Sequence, residues 1–233
     1  MPEKILTPAI DNRIGTLLEF SRRRDMAAES RSNSPAAKPT ITISREFGCE
    51  AYPMAECLRE LMEKKTGDSW LLMDKALLEE VARNHNLSEQ LIKGLGEKSR
   101  FLDEIIATFS PSWKTEKDYF RLLCRQIVAL AEQGNVILMG RGSAFITHSM
   151  KNCHHFRMFA SSDFKNRSIA KRLGVPLEDA EKLVKSKQKQ RDNFIRDFLD
   201  RDANDLCVYN LIFNNDRNTP MKIAETIAGY VLG

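Results

Sequence analysis

The sequence predicts an α/β fold: a five-stranded parallel sheet covered by helices on both faces. Three observations predict it. Beyond Pro39, short apolar runs of strand length recur: TITIS from Thr40, WLLM from Trp70, NVILMG from Asn135, HFRMFA from His155 and VYNLIF from Val208. Longer stretches of helical periodicity separate them, and that alternation marks strand–helix–strand units whose sheet is covered on both sides. The composition, 42% hydrophobic and 29% charged over 233 residues, suits a soluble globular domain with room for one sizeable core.

The elements follow in order. Residues from about Ile10 to Glu29 read as a helix with Ile10, Ile14, Leu17 and Leu18 on one face. The polar, proline-containing stretch SRSNSPAAKP then reads as a linker. Residues 1–38 are therefore expected to be an N-terminal helix and linker, and residues 39–233 the α/β domain. Arg22 to Arg24 in that helix form either a solvated face or a contact for nucleic acid or a partner. Helices are expected around Pro53–Lys65, Lys75–Arg83, Glu116–Gln133, Ser161–Leu173, Leu177–Arg201 and Thr219–Val231. The stretch from about Leu87 to Ser112 reads as helices without strands, placed as a flap between the second and third strands.

Bulk properties narrow the function. Net charge is +4, a mild excess that suits an anionic small ligand. Basic and aromatic residues do not interleave as on a single-strand nucleic-acid surface, so nucleic acid is disfavoured. No apolar run is long enough to span a bilayer, and MPEKILTPAIDNRIG has no apolar leader core, so a cytoplasmic protein is expected. The five cysteines form no CxxC pair and read as reduced thiols. His154 and His155 would point to opposite faces of a strand, and no second ligand pair accompanies them, so no metal site is expected.

Ligands of open α/β sheets bind at the carboxyl ends of the strands. The stretch ITISREFGCEAYP therefore directs attention to the loop after Ser44. A phosphate loop of pattern GxxxxGK[ST] cradles phosphates with backbone amides, reaches them with its lysine and holds magnesium through its hydroxyl. Laid from Arg45, the four fixed positions fall on Arg45, Glu50, Ala51 and Tyr52, and none fits. Gly48 is the loop's one glycine, and Glu50 would bring negative charge toward phosphate. The helix N-terminus beginning near Pro53 and the Arg45 cation still suit an anion. A strand–turn–helix that only packs is the competing reading.

Five segments in order, ITISREFG, LLMDKALLEEVA, LAEQGNVILMGRGSAFI, QRDNFIRDFL and VYNLIFNNDRNTPMKIAETI, resemble the cytidylate kinase-like family over roughly Lys38 to Gly233. The resemblance implies a three-layer P-loop NTPase-type fold with helical flap and lid insertions. It also implies phosphoryl transfer from a nucleoside triphosphate, with ATP and Mg2+ as cofactors and a nucleotide or other phosphorylated small molecule as ligand. Ser44, Arg45 and Gly48 match the family's loop, whereas Glu50, Ala51 and Tyr52 depart from its glycine-rich, basic pattern.

The remaining site residues come from the same resemblance. Asp74 matches an aspartate after the second strand, implying substrate binding; a helix N-cap is its alternative role. Arg141, between Gly140 and Gly142, matches an arginine that acts on the monophosphate substrate, and a guanidinium suits bidentate phosphate contact. The acidic residues that flank this arginine in true cytidylate kinases are absent, so cytidine specificity is not implied. Arg191 matches a lid arginine that stabilises the transferring phosphoryl, and Arg196 is a second candidate. The family often has an aspartate where Gln188 stands. On that long helix Ala180, Val184, Ile195 and Phe198 form one stripe with Lys187 and Arg191 between them. Asn215 matches the loop passing near adenine, although Asn214 and Asn215 also suit a turn. Two further readings compete with a kinase: a catalytically inactive kinase-fold protein that binds a nucleotide or other anion in a regulatory role, and an interaction module or homodimer acting through the N-terminal helix.

Overall fold

The computed structural model describes residue 10 and residues 13–20, 38–83 and 116–233. Its strands are β1 (Thr40–Arg45), β2 (Leu71–Met73), β3 (Val136–Met139), β4 (Cys153–Phe159) and β5 (Leu211–Asn214). All neighbouring pairs are parallel, in the order β2-β3-β1-β4-β5. The helices are α1 (residues 13–20), α2 (Ala51–Thr66), α3 (Lys75–Arg83), α4 (Glu116–Gln133), α5 (Ser143–Ile146), α6 (Ser162–Leu173), α7 (Leu177–Leu199) and α8 (Pro220–Leu232). The expected flap at 87–112 lies outside the described residues.

The strand period of two divides the sheet between two cores. Ile41, Ile43, Ile137, Met139, Phe156 and Met158 face α2 and α8, where Met54, Leu58, Met62, Ile223 and Ile227 meet them. Val136 and Leu138 face α3 and α4, where Leu77, Leu78, Leu123 and Ile127 meet them. The sheet thus lies between two helical layers, the three-layer arrangement expected from the sequence. The same face of β1 carries Thr40 and Thr42. Their hydroxyls are satisfied inside: Thr40 Oγ1 donates to the Ala131 carbonyl at 3.0 Å, and Thr42 Oγ1 shares a 2.8 Å bond with His155 Nδ1.

Leu17 of α1 is 1% exposed within the α3–α4 core, and Ile14 and Phe20 pack against that core. The N-terminal helix is therefore seated on the domain. Helices α6 and α7 form a hairpin, capped at its start by Ser161, whose hydroxyl accepts the Phe164 amide. Gly174 ends α6 in the left-handed region. Among the described residues, no helix is long and apolar enough to cross a membrane.

Three element boundaries differ from the hydrophobic pattern. Helix α2 begins at Ala51, two residues before Pro53. The expected last strand at Val208 begins instead at Leu211, because Asp205 caps a 3₁₀ turn over Leu206–Val208 by accepting the Cys207 amide. Helix α7 stops at Leu199, where Asp200 turns left-handed at φ 51°.

Candidate functional site

Strand β1 is central, so its loop emerges between those of β3 and β4 at the carboxyl edge of the sheet. That loop is folded tightly on itself and on the α6–α7 hairpin. Phe47, 3% exposed, inserts between the two helices among Ile169, Ala180 and Val184. Gly48, at φ +102°, lies so close to α6 that an added Cβ would meet Lys165 Cβ at 2.6 Å. Glycine is required there for both conformation and space.

Three of the loop's amides are already in use. Glu46 N donates to the Met158 carbonyl at 3.0 Å. Phe47 N donates to Gln188 Oε1 at 2.8 Å, and Glu50 N to Asn215 Oδ1 at 2.8 Å. Two side chains from distant parts of the chain therefore occupy positions that a phosphate cradle would offer to anionic oxygens. Glu46 pairs with Lys165 Nζ at 2.6 Å. Burial lowers Arg172, and the neighbouring Glu50 charge opposes that shift. The acidic loop is thus matched by cations from α6. Burial, reinforced by Glu46, pushes the Cys49 thiol up to about 12, which keeps it neutral.

Two of the expected arginines, Arg45 and Arg191, meet at this edge, and Arg141 leaves the β3 loop beside them. A Cβ on Gly140 would collide with the Arg45 guanidinium, so Arg45 rests directly on the β3 loop. The next residue, Arg141, has φ 56°, a left-handed conformation that costs a side-chain-bearing residue roughly 1–2 kcal/mol. Its guanidinium pairs with Glu79 and lies 4.5 Å from the centre of the Phe194 ring. Arg191 donates to the Arg45 carbonyl at 3.2 Å and lies 5.0 Å from the centre of the Phe47 ring. Such aromatic faces help fix the orientation of guanidinium groups.

The other expected residues are placed as follows. Asp74 caps α3 by accepting the Leu77 amide at 3.0 Å and also binds Arg13 Nη1 at 2.6 Å. Its Oδ1 therefore serves both the helix cap and the ion pair. Asn215, 3% exposed, fastens the β1 loop to the β5 loop through Glu50 N and the Asn218 carbonyl. Ser44 lies on β1 in register with Arg157. Arg196 bonds Asn193 at 2.6 Å and Asp197 at 3.4 Å, both on its own helix.

Several residues of this edge are not evident from the sequence motifs: Arg13, Phe47, Glu79, Lys165, Arg172 and Gln188. Gln188 could be flagged because it stands in a family aspartate position, yet its partner amide lies 141 residues away. The buried Arg157 forms another tie, donating to the Ala203 carbonyl at 2.5 Å and Asn204 Oδ1 at 3.2 Å. It holds the segment between α7 and β5 against the sheet.

A sequence model for the cytidylate kinase-like family matches residues 40–217. Among solved structures, a protein of Eubacterium ventriosum is 19% identical, with 83% of this chain and 98% of that chain covered at a TM-score of 0.61. Shikimate kinase from Bacteroides thetaiotaomicron is 13% identical over 83% of this chain and 98% of its own, at a TM-score of 0.44. Dephospho-CoA kinase from Campylobacter jejuni is 11% identical over 84% of this chain and 97% of its own, at 0.35. No curated protein sequence matches the chain. The Eubacterium structure supports the architecture described above.

Proposed function

The chain belongs to the cytidylate kinase-like family, and from that premise we propose that it is a phosphotransferase moving a phosphoryl group from a nucleoside triphosphate to a small acceptor. The observation that supports this reading is that Arg191 bonds the Arg45 carbonyl and Arg45 rests on Gly140, the residue before Arg141, at the carboxyl edge of the sheet. Phosphoryl transfer asks a protein chiefly for positioning and for charge stabilisation. Three guanidinium groups supported by backbone and aromatic faces offer both. Arg141 acts on the acceptor side, Arg191 reaches over from the lid, and Arg45 replaces the missing loop lysine as a cation. Asp74 is assigned to the acceptor.

The side chains fit a polyphosphate better than the loop backbone does. Engagement of the Phe47 and Glu50 amides means that a triphosphate would first have to displace Gln188 and Asn215, or bind to the arginines beside them. Among the described residues, no group of three His, Cys, Asp or Glu is arranged to hold a metal. Magnesium would therefore be held largely by donor phosphates, where it supplies charge neutralisation. Tyr52, at the loop's expected hydroxyl position, is pushed up to about 12 by burial and remains a phenol.

The decisive test combines ATP binding by calorimetry, with and without magnesium, with turnover across a panel of phosphorylated and hydroxylated acceptors. Magnesium-dependent micromolar binding and turnover are expected. Arg141→Ala should lower kcat/KM about 100- to 1000-fold, the size of effect seen when one oriented transition-state donor is removed. The occupied loop amides favour a second reading, a kinase-fold protein that binds an anion without turnover. Binding that weakens in Arg141→Ala, with no turnover for any acceptor, would select it.

A further inference from the structure

We infer that Arg13, brought by α1 from outside the family-matched residues, is a positioning residue of the acceptor site: it fixes the Asp74 carboxylate so that Oδ2 can accept a hydrogen bond from a hydroxyl of the acceptor. This role rests on the phosphotransferase reading and supplies its acceptor side with a chemical preference.

Asp74 is the first residue after β2, and β2 pairs directly with β3 through Met73 and Leu138. Arg141 follows Leu138 by three residues, so Asp74 and Arg141 leave adjacent strands at one edge. The two oxygens of Asp74 are unequal. Oδ1 accepts the Leu77 amide at 3.0 Å and binds Arg13 Nη1 at 2.6 Å. Oδ2 makes no hydrogen bond or ion pair among the described residues. A carboxylate with one oxygen held by two donors has its plane fixed, and its other oxygen is left to accept. Arg13 Nε is buried without an acceptor among the described residues. Buried donors are rarely left so. Both members of the pair therefore retain hydrogen-bonding capacity of opposite sense. A hydroxyl, which donates and accepts at once, matches that combination; a bare phosphate oxygen matches only the arginine.

Docking of α1 does not account for the pair. Leu17 is 1% exposed in the core, with Ile14 and Phe20 packed beside it, and this apolar contact seats the helix. An ion pair added to an apolar contact contributes little net stability, because both charges lose water. What it supplies is orientation. The charge of Arg13 also reaches Tyr52 and Glu56 at the start of α2, so α1 adds a second cation, beside Arg59, to a wall of acidic and phenolic groups.

Steady-state kinetics with ATP–Mg2+ and the panel acceptor that turns over tests the role in Arg13→Ala, Arg13→Lys and Asp74→Asn. In Arg13→Ala, acceptor KM should rise about tenfold or more while ATP KM stays unchanged. Arg13→Lys should retain part of the acceptor affinity, and it carries the test if the alanine variant does not fold. Millimolar methylguanidinium should partly restore Arg13→Ala but not Asp74→Asn, a response that loss of helix docking alone would not give. Unchanged acceptor KM in folded Arg13→Ala, an equal rise in the KM of ATP, or no rescue would each overturn the role while leaving the phosphotransferase reading intact. If the wild-type protein turns over no acceptor, that reading fails first and the role falls with it.

Discussion

Arg141 illustrates how single residues carry this site. The chain accepts a left-handed backbone at a non-glycine position between Gly140 and Gly142, and the result is a guanidinium placed at the edge of the sheet. Backbone strain of this kind clusters at ligand sites, which supports the role proposed for Arg141. His155 shows the opposite case, a polar residue enclosed for structure. Its ring bonds Thr42, and burial, aided by the charges of His148 and His154, lowers it from 6.5 to about 4. A histidine that stays neutral in the folded protein but protonates in the unfolded chain favours unfolding as pH falls. Its neutral form is dominant in both states well above pH 6.5, so it adds no pH dependence there. Between about 6.5 and 4 it should remove up to about 3 kcal/mol of stability. Urea denaturation at pH 7.5 and 5 should show a smaller loss for His155→Gln than for wild type, and equal losses would remove His155 as the cause. Much at this scale was legible: the flanking glycines mark Arg141, and the run from Thr40 marks the strand that presents Arg45. The partners were not. Nothing near Arg141 in sequence announces Glu79 or Phe194, because both arrive through folding.

At the scale of elements, the α6–α7 hairpin is the part that acts on the β1 loop. The stripe on α7 was legible as Ala180, Val184, Ile195 and Phe198, but it serves two different partners. Ala180 and Val184 enclose Phe47, while Ile195 and Phe198 pack against the α3–α4 core. Lys187 and Arg191 lie at the change of partner, which explains basic residues on an otherwise apolar stripe. Periodicity reveals a buried face but not what buries it. Gln188 sits at the same point and holds the Phe47 amide. Gln188→Ala should cost about 1 kcal/mol, the ordinary net value of such a bond. It should also tighten ATP binding several-fold, since the freed amide becomes available to phosphate. Calorimetry on the variant checks this; weaker binding would instead make Gln188 a ligand contact and the loop a formed site.

For the whole molecule, the question is whether α1 belongs to the domain or only accompanies it. The sequence supports a helix followed by a linker, and a boundary near residue 38 follows naturally from SRSNSPAAKP. Composition cannot report that Leu17 is 1% exposed among Leu71, Leu77 and Leu123, because burial depends on where the linker returns the helix. Two contributions to α1 docking can be separated. Leu17→Ala removes buried hydrocarbon and leaves a cavity, so it should cost about 2–5 kcal/mol. It should lower the urea midpoint without changing the slope, since the surface exposed on unfolding is nearly the same. A variant that loses this stability while its acceptor KM follows that of Arg13→Ala would make α1 one cooperative unit with the site. Unchanged stability would mean that α1 leaves the core readily in solution. Its apolar face would then be available to a second copy of the chain, and a concentration-dependent mass in sedimentation would follow.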